Sequence, residues 1–204
     1  MATKGDTTKE NILEISQNIM LQKGFSGTSI DEIISAANIT KSGFFYHFES
    51  KNDLAKHLML KYQRDDEIFF NGLLERADAL SEDPLQQMLI FLKLLAEAMG
   101  NLESLHPGCL IATFTSANHQ LSDEVKAVTA DCTIVWRKLF SRRLDAINKM
   151  YSLKTDVTSI ELADMLSTII EGGIIMSRTL SDQTILVRQI LHYRDHLRLL
   201  YSNL

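Results

Sequence analysis

The residues with the most chemical promise stand together in Thr40-Lys41-Ser42-Gly43-Phe44-Phe45-Tyr46-His47-Phe48, with Lys51 just beyond. Lys41, Ser42 and Gly43 are slim enough for close approach to base edges, and Lys41 can reach a guanine O6/N7 pair or a phosphate. Tyr46 and His47 offer polar tips one turn later, while Phe44 and Phe48, four apart, form an apolar back. A helix that lays its N-terminal end in a DNA major groove needs this combination. Ser29 and Lys51 open flanking helices, where free N–H groups favour a phosphate. Each has a plainer reading as well: Ser29 and Thr40 as N-caps, Lys51 as a solvated charge, His47 as a packed histidine. The phenyl groups of Phe44, Phe45 and Phe48 read mostly as core.

A second chemical feature is His106-Pro107-Gly108-Cys109-Leu110. A thiol at a helix start has a lowered pKa, and a neighbouring imidazolium would lower it further. Cys109 is therefore either a reactive sensor thiol or an inert buried one. Cys132, inside a long helix, reads as inert. A Cys109/His106 hydrolase lacks a third, orienting group, and both residues sit beside one proline-broken turn. His106, Cys109 and His119 do not have a zinc spacing. The expectation is thus a protein without catalytic residues, metal ligands or cofactors. The two cysteines make neither CxxC nor a disulfide framework, which fits a reduced, cytoplasmic setting.

The elements that must position these groups read as helices almost throughout. Thr7-x-x-Glu10 is a capping box that predicts the start of a first helix, closed by Lys23-Gly24. Ser29-x-x-Glu32 predicts a short second helix, and Asn38 tolerates the left-handed conformation of a tight turn. Thr40 caps a third helix to about Phe48, and Ser50-x-x-Asp53 starts a fourth towards Leu80. Two short helices behind a longer one are the layout of a helix-turn-helix. Asp83-Pro84, Cys109, Ser122, Thr158-x-x-Glu161 and Asp182 predict the starts of five more helices. No convincing period-2 strand, repeat or linker interrupts them, so the fold class is all-α. The expected division is a DNA-binding domain at 1–50 and a larger sensing and dimerisation domain at 51–204.

Charge refines this picture. The formal net charge is −5, which argues against non-specific coating of nucleic acid. Met1 to Tyr62 is neutral, with seven basic and seven acidic residues, so the rest carries the whole excess. Apolar residues make up 45% and charged residues 23%, a globular balance, and no apolar run approaches the ~20 residues a membrane span needs. The N-terminus lacks the apolar stretch of a signal peptide.

The segment from about Glu10 to Leu54 resembles the DNA-binding head of the TetR family of bacterial transcriptional regulators. The matching stretches are Gly24-Phe25, Thr28-Ser29-Ile30-Asp31-Glu32-Ile33, Ala37-Asn38-Ile39-Thr40-Lys41 and Phe48-Glu49-Ser50-Lys51. Two positions depart from the pattern: Asn38 stands where glycine is usual, and Phe45 where tyrosine is usual. The resemblance implies that Ser29, Thr40, Tyr46 and Lys51 touch phosphates and that Lys41, Ser42, Gly43 and His47 face bases. Gly108-Cys109-Leu110, ahead of Leu121-Ser122-Asp123-Glu124, is similar to the branch that contains the repressor of N-ethylmaleimide reductase. That branch implies a cysteine sensor of electrophiles or oxidants.

Homodimerisation is expected through helices at about 158–180 and 182–203. Leu162, Met165, Leu166, Ile169, Ile170, Ile174, Ile175 and Met176 give the first of these a large apolar surface, and Gly172-Gly173 suits close helix approach. Phe91, Met99, Cys109, Phe114 and Trp136 are the candidate ligand-binding residues, with plain core as the other reading of the aromatic and Met positions. The partners expected are a double-stranded DNA operator, a second copy and a small hydrophobic or electrophilic ligand that releases the DNA. Membrane is not among them. The alternative is an architectural or cell-division DNA binder of the same fold without an inducer.

Overall fold

The start of each helix shows how the sequence fixes the fold. In the structure, a computed structural model that describes residues 4–201, all regular elements of the described residues are helical. Ser29 Oγ accepts the N–H of Glu32 at 3.1 Å and opens α2 (Ile30–Ala36). Thr40 Oγ1 accepts that of Gly43 at 3.1 Å and opens α3 (Lys41–His47). Between them Asn38 turns the chain at φ 51°, the conformation expected of it. Ser50 caps α4 (Lys51–Asp78): Asp53 N–H donates to Ser50 Oγ at 3.1 Å, and the Asp53 carboxylate accepts from Glu49 N–H, one residue before the cap, at 3.0 Å.

The first capping box fails. The first helix, α1 (Lys4–Lys23), already includes Thr7, and Glu10 instead forms an ion pair with Lys61 of α4 at 3.4 Å. A long-range partner has taken the carboxylate that a local cap would use. Gly24 closes α1 at φ 76° as expected.

The remaining helices are α5 (Pro84–Gly100), α6 (Leu110–Ser116), α7 (Asp123–Asn148), α8 (Ser159–Leu180) and α9 (Thr184–Tyr201). Asp83 caps α5 through Gln86 N–H at 2.8 Å, and Thr158 with Glu161 forms a complete capping box on α8. Two features gave no sequence signal: a 3-10 turn at Asn118–Gln120, and the left-handed Ser181 at φ 52° that ends α8 without glycine.

The chain divides into two compact units. One comprises the residues to Asp65 together with Pro107–Thr133; the other comprises Asp66–His106 and the residues from Ile134 onward. This cuts the chain differently from the division expected at residue 50. The reason is packing: Leu110 and Phe114 of α6 are fully buried in the same core as Ile12, Phe25, Ile33, Phe44 and Leu58. Phe114 meets Phe25 edge to face at 5.5 Å. Asn52 and Lys56 of α4 hold the start of α7, through Ser122 N–H at 2.8 Å and Glu124 at 2.8 Å.

In the second unit α5, α8 and α9 surround Phe91, Leu92, Leu166, Ile190 and Leu197. Gly173 explains half of the double glycine: a Cβ there would meet Leu186 Cδ1 at 2.8 Å and its Cα at 3.2 Å. The close approach is thus between α8 and α9 of one chain. A Cβ at Gly172 would meet nothing within 4 Å outside its own helix backbone.

Candidate nucleic-acid interface

Thr40 organises the start of α3. Its hydroxyl accepts the Gly43 N–H and also lies 3.0 Å from Ser42 Oγ. The helix buries Phe44 and ends on buried Phe48. It exposes Lys41, Ser42, Phe45 and Tyr46 on its outward side. Tyr46 is 82% exposed, more than any other aromatic side chain counted among the exposed large apolar residues. The ring of Tyr46 meets that of His47 edge to face at 4.9 Å, and His47 in turn lies against Phe48.

The expected DNA-facing residues therefore fall into two sets. Ser29, Thr40, Lys41, Ser42 and Tyr46 stand on or beside the outer face of the α2–α3 pair. Gly43 and His47 are half-buried on the flank, and a Cβ at Gly43 would lie 3.2 Å from Thr40 Oγ1. His47 thus has packing partners as well as a polar tip.

Two lysines behave differently. Lys41 has a 71% exposed side chain and a loose 3.9 Å ion pair with Asp31, an exposed contact worth little energetically. Lys51 is half-buried, with its ammonium donating to the Phe25 carbonyl and lying 4.2 Å from the centre of the Phe25 ring. Burial pushes its pKa below the usual lysine value. Lys51 therefore holds α4 to the turn after α1 in addition to any outward role. Lys9 of α1 went unremarked in the sequence; its Nζ lies 5.5 Å from the centre of the Phe48 ring, beside the end of α3. Its only sequence signal was a basic residue in an amphipathic helix.

The candidate ligand residues are not brought together within one unit. Phe91 is buried in the second unit, its ring centroid 6.4 Å from that of Phe70, and Trp136 meets Phe70 edge to face with centroids 5.8 Å apart. Met99 packs at the edge of that core. Cys109 and Phe114 belong to the first unit. Cys109 is buried at the N-cap of α6, where it makes no capping bond, and Tyr62 O–H points at its sulfur from 3.8 Å. Desolvation, and then the charge of Arg178, hold His106 below its ordinary value, so the imidazole is neutral at pH 7. Burial and the Arg178 charge thus disfavour the imidazolium form of His106. A pocket of about 150 Å³ in the first unit, lined by Ile111, Thr115, Leu121, Lys126 and Thr129 among others, includes none of the five. Among the described residues, no cluster of three or more His, Cys, Asp or Glu could hold a metal ion, and no helix is long and apolar enough to cross a membrane.

Comparison with known proteins matches this geometry. Residues 12–58 fit the family described as bacterial regulatory proteins, tetR family. Residues 84–190 fit the C-terminal domain described as transcriptional regulator LmrA/YxaF-like. The HTH-type transcriptional repressor DhaR of Mycobacterium sp. is 25% identical over 167 residues, which span 82% of this chain and 80% of DhaR. The HTH-type transcriptional regulator YxaF of Bacillus subtilis is 25% identical over 186 residues, 90% of this chain and 91% of YxaF. NemR of Escherichia coli, an HTH-type transcriptional repressor, is 30% identical over 70 residues, covering 32% of this chain and 35% of NemR. The crystal structure of reduced NemR superposes with a TM-score of 0.75 at 18% identity, covering 96% of this chain and 98% of that one, which bears on the fold alone.

Proposed function

The chain belongs to the TetR family of bacterial regulatory proteins and is a DNA-binding transcriptional regulator, and on that premise we propose that it is a cytoplasmic homodimeric repressor released from a palindromic operator by a small ligand. The observation that carries the reading is α3 itself, capped by Thr40, with Lys41, Ser42 and Tyr46 turned outward from a buried Phe44. Ser29, Thr40, Tyr46 and Lys51 contact phosphates; Lys41, Ser42, Gly43 and His47 face bases. The functional division is a DNA-binding domain at 1–50, with Lys51 adding a phosphate contact at its border, and a sensing and dimerisation domain at 51–204.

Dimerisation is supported by what α8 leaves outside. Met165, Gly172, Ile175 and Met176 are exposed on one side of the helix, whereas Leu162, Leu166 and Ile174 are used by the chain's own core. On α9 most apolar residues are internal, with Leu199 exposed. The partner surface is therefore centred on α8. A two-fold dimer places two copies of α3 on half-sites separated by whole turns of DNA.

The ligand is a small hydrophobic or electrophilic molecule: Phe91, Met99 and Trp136 of the second unit are the candidate apolar contacts, and, separately, Cys109 of the first unit is the candidate thiol for an electrophile. Occupancy favours a dimer whose heads are wrongly spaced, with α4 as the lever because it begins beside α3 and extends past the first unit. The name of DhaR as a repressor and its 80% coverage support negative regulation.

A footprint of the purified protein on the DNA upstream of its own reading frame tests this. Protection of a few two-fold symmetric sites, weakened by an electrophile or hydrophobic inducer, is expected. Protection of many sites with no release by any ligand would favour an architectural DNA binder instead. Equal release of wild type and C109S by an electrophile would remove the thiol from the account.

A further inference from the structure

The outward side of α3 carries one group that the polar reading leaves without a task. Phe45 is 43% exposed, although both phenylalanines nearest to it, Phe44 and Phe48, are fully buried. Its position is not accidental to the interface. On a helix, residue 45 lies one turn above Lys41 and Ser42 and beside Tyr46, and all four are exposed. Phe44 braces the Phe45 ring edge to face, with centroids 5.3 Å apart and planes at 84°. One side of the ring is thus fixed against the core while the other stays open.

A phenyl ring makes no conventional hydrogen bond to a phosphate or a base edge. On the floor of a major groove the one apolar feature is the C5-methyl group of thymine, and apolar side chains read it by contact. The ring is held by Phe44 before any DNA arrives, so little side-chain freedom is lost on contact. We infer that Phe45 is a specificity-determining residue that packs on a thymine methyl in each operator half-site. The inference rests on the reading that α3 enters the major groove. Lys41 and Ser42 then supply the polar contacts beside it, so each half-site contains a thymine next to the base pair that Lys41 addresses.

The test uses the full-length protein and a palindrome that it selects from random duplex DNA. Each thymine is replaced symmetrically by deoxyuridine, which keeps the pairing and removes the methyl. Binding is read by fluorescence anisotropy. For wild type, one thymine per half-site should matter, with a loss of about fourfold per half-site, the scale of one buried methyl. F45A should bind the thymine duplex correspondingly more weakly and show no further loss on uridine. F45L, which keeps an apolar contact, should retain part of the uridine effect, and thermal melting of both variants reports that they fold. Uridine duplexes that all bind wild type within twofold of the parent would overturn the assignment of Phe45 alone, as would an undiminished uridine penalty in F45A. Failure to select any sequence would overturn the DNA-reading role of α3, and Phe45 with it.

Discussion

Lys41 and Lys51 read alike in the sequence, as cations flanking a recognition segment, yet the structure separates them. Lys41 stands free of the core, so Lys41→Ala should leave the urea midpoint unchanged and alter the preference among operator bases. Lys51 is tied to the carbonyl and ring of Phe25. Lys51→Ala should therefore lower stability by about 1–2 kcal/mol as well as weakening binding across all operators. Urea denaturation and anisotropy on the same two variants measure both effects. No sequence pattern distinguishes the lysines, because the Phe25 carbonyl that captures Lys51 belongs to a turn far away in the chain. His106 shows the same limit. The sequence offered it as a neighbour of Cys109; burial and Arg178 make it a neutral imidazole instead. Its pKa is lower in the folded state, so below its ordinary value of 6.5 the unfolded chain binds more protons. Stability contributed by neutral His106 is complete above pH 6.5 and is lost as pH falls towards the lowered folded value. His106→Gln should flatten the fall in urea midpoint between about pH 7 and pH 5.

At the scale of elements, the helix starts with polar caps were the most legible feature. Ser29, Thr40, Asp83 and Thr158 each cap the helix expected of them, since a cap is a contact across three residues and lies wholly within a local motif. Thr7-x-x-Glu10 shows when that logic fails: Glu10 pairs with Lys61, and the helix runs back to Lys4. The double glycine of α8 was legible as a close approach, but not which glycine or whose helix. Gly173→Ala should be destabilising by about 1–3 kcal/mol, because the Leu186 Cα cannot move aside as a side-chain tip could. Gly172→Ala meets nothing within the chain and should stabilise the isolated helix by about 1 kcal/mol. If α8 is the dimer face, that gain should be offset by weaker self-association. Thermal melting over a range of protein concentrations separates the two contributions.

For the whole molecule, helical class and head were readable because their signals are local and periodic. The compact units were not, because their making is long-range: Phe114 joins Phe25, and Asn52 joins Ser122. The same cause scattered the candidate ligand residues. Apolar positions at helical spacing announce burial, but not which core they are buried in. Self-association belongs to this scale too. Met176 is 49% exposed on the outer side of α8. Met176→Glu should leave the fold intact and give a monomer in sedimentation, with operator affinity reduced at least tenfold through loss of the second half-site.

In the proposed repressor, two copies of α3 read a symmetric DNA site through Lys41 and its neighbours. Selection of binding sites from random duplex DNA, carried out in parallel with wild type and Lys41→Ala, measures this. Wild type should yield a two-fold symmetric consensus, with half-sites one or more helical turns apart, and the variant a consensus changed at one base pair per half-site. An asymmetric consensus, no enrichment, or an identical consensus from both proteins would contradict it.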